Sequence, residues 1–231
     1  AASFGNALHN TLERVHTHMR THESLMPEED ILSEFERQLG AYALTDDEWE
    51  HFLKKGQDAL HIFLSERRDT FNPNQIAERN FSNQDVTLDT ARLKGKLDVL
   101  EIDKQTKTAK VIDYKTGKPL EVWGKGSDYD KMKAHHYRQQ LLFYKLLIEN
   151  SRDYHAYTMT DGALQFVEPN DAGHTVLLPL GNVDQEEFDR FKRLVGVVWQ
   201  HINDLSFPDT SQYDPTVDGI KQFEDDLLTK S

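Results

Sequence analysis

The sequence predicts a mixed α/β fold of the α+β kind, a central β-sheet flanked by helices with a helical elaboration at the N-terminus. Three observations carry that expectation. Apolar residues recur at helical spacing through most of the first 70 positions. Short segments rich in β-branched residues then follow one another between about 76 and 115. Amphipathic stretches at 135–149 and 184–204 are interleaved with further strands, as helices packed on a sheet would be.

Taken in order, residues 3–20 put Phe4, Leu8, Leu12, Val15 and Met19 on one helical face. The segment 26–30 breaks that helix, a second runs over about 29–39, and Gly40 ends it. Thr45 and Glu48 form a capping box, so a third helix starts at Asp46, with Trp49, Phe52, Leu53, Leu60, Phe63 and Leu64 as its apolar stripe. The turn at 71–74 leads into strands at about 76–82, 85–89, 93–102 and 109–115. Residues 116–134 read as a Gly- and Lys-rich loop, followed by the helix 135–149. Strands at about 154–159 and 163–168 flank a turn at Thr160-Asp161-Gly162, and a strand at 174–178 precedes the helix 184–204. The expected organisation is one domain over 1–231: a helical part at 1–70, a sheet with its helix at 75–180, a C-terminal helix, and a polar, partly disordered tail at 208–231.

Composition narrows the function classes. Forty acidic residues against 27 basic ones leave a net charge of -13, which argues against a free-standing, broad binder of nucleic acid, since phosphate binding rests on Lys and Arg. No apolar run approaches the ~18–20 residues that a membrane span needs. The absence of cysteine excludes disulfides, iron–sulfur clusters and thiolate zinc sites, and fits a reducing cytoplasm. The chain begins at Ala1 rather than Met, and the expectation is a piece of a longer protein.

The segments 93–103 and 109–118 read as one hairpin closed by the loop Lys104-Gln105-Thr106-Lys107. Alternation along a strand points Asp113 and Lys115 to the same side. If Asp103 pairs with Thr108, the register sets Asp98 opposite Asp113, and two like charges so close call for a cation between them. Two carboxylates and a lysine converging on a strand pair make a divalent-metal site with a charge stabiliser beside it. Read singly, Asp98 also fits an exposed edge strand and Lys115 a plain salt bridge with Asp113, but the metal reading accounts for all three residues.

The run Gly95-Lys96-Leu97-Asp98, then Val111-Ile112-Asp113-Tyr114-Lys115-Thr116-Gly117-Lys118, then Gln139-Gln140-Leu141-Leu142-Phe143-Tyr144, resembles the motifs of the PD-(D/E)XK nuclease superfamily, in particular its RecB-type branch. The resemblance implies a restriction-endonuclease-like core. It implies that Asp98, Asp113 and the carbonyl of Tyr114 bind the metal, with His9 as the upstream histidine that completes the site. Imidazole and carboxylates suit Mg²⁺ or Mn²⁺. Lys115 would position or activate the attacking water and stabilise charge on the phosphate, in a hydrolysis that leaves a 5′-phosphate and a 3′-hydroxyl. Gln140 and Tyr144 would match the Gln-x-x-x-Tyr helix motif on one side of one helix, although each alone also fits a solvated glutamine and a core aromatic.

Glu78 occupies a strand where the family often has a Glu; orienting a ligand and simple exposure fit it equally. His16, His18 and His22 read as exposed, and His135 and His136 as a solvated start to their helix. Lys115, Lys118, Lys125, Lys131 and Lys133, interleaved with Trp123 and Tyr129, make the best candidate for stacking and charge contact with a single strand. Many RecB-type nucleases hold an iron–sulfur cluster on cysteines near both ends, and this chain has none. The resemblance implies a DNA nuclease, and the start at Ala1 with the acidic balance makes the expectation a cytoplasmic, nucleoid-associated module of a UvrD/Rep-type helicase–nuclease whose motor supplies the DNA grip, in repair or recombination. A stand-alone exonuclease of the CRISPR-adaptation type and a catalytically silent module for DNA binding or assembly are the alternatives.

Overall fold

A computed structural model describes residues 2–229. Helices α1 (Ala2–His22), α2 (Glu28–Leu39) and α3 (Asp46–Arg67) come first. Strands β1 (Gln75–Asn80), β2 (Thr87–Leu88), β3 (Ala91–Arg92), β4 (Lys96–Asp103) and β5 (Thr108–Lys115) follow. Helix α4 (Asp128–Glu149), strands β6 (Thr158–Phe166) and β7 (Val176–Pro179), and helices α5 (Gln185–Asp204) and α6 (Val217–Thr229) complete the order. The main sheet is mixed and five-stranded, ordered β1-β4-β5-β6-β7, with helices flanking it as in a restriction-endonuclease-like fold. Among the described residues no helix is long and apolar enough to cross a membrane.

The chain divides into two compact units. The first comprises the chain up to Arg79, Lys96–Glu121 and Thr160–Pro179. Its core is built by the apolar faces of α1, α2 and α3 with residues of β4 and β5. Phe4, Leu8, Leu12, Val15 and Met19 are all buried, together with Ile31, Phe35 and Leu39 of α2 and Leu60, Phe63 and Leu64 of α3. Trp49, Phe52 and Leu53 are only half-buried but pack against the same cluster. The α3 capping box forms in both directions, Thr45 Oγ1 accepting from Glu48 N at 3.3 Å and Glu48 Oε2 accepting from Thr45 N at 3.0 Å. Gly56 lets α3 approach α2 closely, because a Cβ there would run into the Phe35 ring.

The β4–β5 hairpin has the expected register, Asp103 facing Thr108 and Val99 facing Ile112 across an antiparallel ladder. Asp103 Oδ1 closes the loop by accepting from the amides of Gln105 and Thr106 at 2.7 and 3.1 Å.

The second unit comprises Asn80–Gly95, Val122–Met159 and the chain from Leu180 on. Leu142 and Leu146 of α4 pack with Phe188 and Phe191 of α5, and α6 adds Leu227 against Leu194 and Val197.

Several boundaries differ from expectation. The strand expected at 85–89 is a two-residue ladder, β2 with β3, turned at Asp89 with φ 51°. Helix α4 starts at Asp128 rather than 135, because Ser127 and Asp130 form a second capping box that the lysine-rich composition masked. Tyr129, Lys131 and Lys133 therefore lie on a helix and not in a loop. The expected turn at 160–162 is part of the continuous strand β6, because pairing within the sheet outweighs the local Asp-Gly signal. The tail carries α6, which buries Leu227 and Glu224.

Candidate metal centre

The candidate centre lies in the first unit, on α1, β1 and the β4–β5 hairpin. His9 sits one turn beyond Gly5 on α1, beside the buried stripe of Leu8 and Leu12. Asp98 is on β4, and Asp113 and Lys115 are on β5. The ladder's pairs run from Asp103–Thr108 to Val99–Ile112, and Asp98 and Asp113 are the next residue on each strand. Asp113 and Lys115 point to the same side of β5, Lys115 Nζ lying 2.7 Å from Asp113 Oδ2. Asp113 is 2% exposed.

One nitrogen of His9 and one carboxylate oxygen each of Glu78 and Asp98 lie within 4.8 Å of one another, the group that could hold a metal ion among the described residues. His9 Nδ1 is 3.5 Å from Asp98 Oδ2. That same oxygen accepts the amide of Tyr114 at 2.8 Å, which fixes the carboxylate against the strand opposite. Burial works against a charged His9, but the hydrogen bond to Asp98 and the charges of Asp98, Asp113 and Glu78 outweigh it and hold its pKa above the ordinary imidazole value.

Glu78 reaches this group by an uncommon route. It takes φ 52° inside β1, the left-handed region that costs an ordinary residue about 1–3 kcal/mol and that clusters at functional sites. Its carboxylate forms an ion pair with Lys96, two residues before Asp98. The pairing with Glu78 raises the Lys96 pKa. The strand position of Glu78 was visible in the sequence, but the backbone twist that brings it to His9 and Asp98 carried no sequence signal.

The donor chemistry fits a hard divalent cation. An imidazole and two carboxylates converge, a third carboxylate stands next in register, and cationic groups have gathered around them: Lys96 on Glu78, Lys115 on Asp113, and His9 on Asp98. Two half-buried acids and a buried one so arranged create a local demand for positive charge.

The remaining expected residues fall as follows. The ring of Tyr114 is buried, and its hydroxyl shares a 2.9 Å hydrogen bond with His16 Nε2. Burial, and secondarily the charge of Asp98, pushes the Tyr114 phenol pKa up. His16 is thus not exposed as expected but 2% accessible, because position 16 continues the Leu8–Leu12 stripe by one more turn. Desolvation lowers it to about 4, with Gln75 acting in the opposite sense. His22 is exposed as expected, whereas His18 is half-buried, and the two rings stack on each other. Gln140 and Tyr144 share one face of α4 in the second unit, Gln140 Nε2 donating to the Tyr144 hydroxyl at 2.7 Å. His135 is not a solvated helix start: its Nε2 lies 2.7 Å from the buried Glu224 of α6.

A five-stranded sheet of this order, with two aspartates and a lysine on one antiparallel hairpin, is consistent with the restriction-endonuclease-like class. A family model of the PD-(D/E)XK nuclease superfamily matches residues 1–214, and the chain belongs to that superfamily. A comparison with curated proteins found no match.

Proposed function

We propose that this chain is a metal-dependent deoxyribonuclease, with the His9–Glu78–Asp98 group and the adjoining Asp113–Lys115 pair as its active centre. The observation that carries the reading is the meeting of three candidate ligands with a buried carboxylate and a lysine on one hairpin. His9, Asp98, Asp113 and the carbonyl of Tyr114 would hold Mg²⁺ or Mn²⁺, with Glu78 as a further acidic ligand. The bound ion would lower the pKa of water and neutralise charge on the scissile phosphate.

The chain's own groups have distinct tasks. The Tyr114 amide keeps Asp98 from rotating away. Asp113 orients the Lys115 ammonium, which directs the attacking water and stabilises charge growing on the phosphoryl oxygens. Gln140 and Tyr144 match the Gln-x-x-x-Tyr helix motif and would be further catalytic residues. The acidic balance, -13 overall, supports a module whose DNA grip comes from a helicase motor, in repair or recombination.

The test is cleavage of end-labelled single-stranded and duplex DNA with Mg²⁺, Mn²⁺ or chelator, comparing wild type with Asp113→Ala. Metal-dependent cutting that the variant loses supports the reading. Equal cutting by both proteins refutes the assignment of Asp113.

A further inference from the structure

Lys115 is the last residue of β5, so the strand ladder does not hold the chain beyond it. Gly117, two residues on, turns through φ 93°, and a Cβ there would meet nothing within 4 Å, so the glycine serves the backbone turn alone. Such an exit would be loose without fastening. Two bonds from the segment after β6 fasten it. Val167 N donates to the Lys115 carbonyl at 3.0 Å. Gly117 N donates to Glu168 Oε1 at 2.5 Å.

Glu168 is itself held. Its other oxygen is 2.7 Å from Lys55 Nζ on α3, and its side chain is 13% exposed. The Lys55 ammonium in turn sits 4.6 Å over the ring of buried Phe4 on α1. Between these anchors Thr116 seats on α1: its Oγ1 is 3.1 Å from where a Cβ of Gly5 would be, one helical turn before His9. The same chain of contacts therefore joins α1, α3, the exit of β5 and the segment after β6.

We propose that Glu168 is a positioning residue for Lys115, a clamp on the Gly117 amide that sets where the lysine ammonium stands relative to His9 and Asp98. The proposal rests on the nuclease reading above. Displacing a reacting group by about 1 Å costs on the order of 100-fold in rate, so a carboxylate that touches neither metal nor DNA acts on turnover through the loop it holds.

The experiment compares wild type, Glu168→Ala, Glu168→Gln and Lys55→Met. It reads kcat and KM for DNA cleavage at saturating Mn²⁺, Mn²⁺ affinity by calorimetry, thermal unfolding, and hydrogen exchange at the Gly117 amide. Glu168→Ala is expected to lower kcat by about tenfold or more, with KM and Mn²⁺ affinity within about twofold of wild type. Glu168→Gln keeps a carbonyl oxygen for Gly117 and is expected to recover most of the rate. Lys55→Met leaves the acceptor but frees its tether, and is expected to fall between the two. Overturning results are an unchanged kcat in folded Glu168→Ala, or equal losses in Ala and Gln variants. Should Glu168→Ala not fold, the same rate in Lys55→Met as in wild type overturns the clamp. Absence of cleavage by the wild type overturns the nuclease reading instead. The Gly117 amide then tests the clamp alone, slow exchange supporting it and fast exchange overturning it.

Discussion

Replacing His16 with leucine separates a structural pin from a pH response. His16 is carried by α1, seven residues past His9, and bonds to Tyr114, which lies between Asp113 and Lys115. The substitution leaves the buried Tyr114 hydroxyl without this partner, which costs about 1–3 kcal/mol at neutral pH. The wild type carries an opposing liability. Its His16 titrates at about 4 when folded, against 6.5 for the free side chain. Between those values the unfolded chain binds the proton and the folded one does not, so wild-type stability falls as pH drops through this window and levels off below it. From about pH 7.5 to about pH 5 the loss comes to about 2 kcal/mol. His16→Leu lacks that loss, while other titrating groups, His9 included, are common to both proteins and cancel in the difference. Urea unfolding at both pH values, with m-values checked for equality, measures it. The wild type should be the more stable protein at neutral pH, with its advantage largely gone at the acidic one. Parallel pH dependence in the two proteins would refute a buried, neutral His16.

Lys115→Ala should reduce DNA cleavage by about 100-fold or more while Mn²⁺ affinity stays within a few-fold, as calorimetry beside a cleavage assay would show. Lys96→Met should tighten Mn²⁺ binding several-fold at low salt and less at high salt, since an ammonium no longer competes for Glu78; weaker binding would instead make Lys96 a support for that carboxylate. Gly56→Ala should destabilise the fold by about 1–3 kcal/mol in thermal or urea unfolding, because its methyl group enters the space of the Phe35 ring; a stability gain from helix propensity would contradict the close packing of α2 on α3.

Local chemistry made much of this chain legible. The α1 and α3 stripes, the Thr45 capping box and the hairpin register follow from side-chain period and turn length, which act over a few residues. The same register places Asp98 and Asp113 just past the ladder's last pair, Val99–Ile112. What escaped depends on contacts distant in sequence. Asp161 and Gly162 read as a turn but belong to β6, a strand that lies between β5 and β7 in the sheet order. Helix α6 buries Glu224 against His135, 89 residues earlier, so its polar composition read as tail. Glu78 enters the centre through a left-handed backbone that no residue type in Ile76-Ala77-Glu78-Arg79 demands. Glu168 has no motif at all, and its place is visible only once Gly117 and Lys55 are seen to meet it.

The central claim is that His9, Glu78, Asp98 and Asp113 form one metal centre, and calorimetric titration of Mn²⁺ into wild type and Asp98→Asn tests it most directly. Asp98 touches both His9 and the Tyr114 amide, so its charge is the one the centre can least spare. A saturable binding event is expected in the wild type, weakened at least about tenfold in the variant, with the fold retained by circular dichroism. Equal Mn²⁺ binding by the two folded proteins, or none by either, would contradict it.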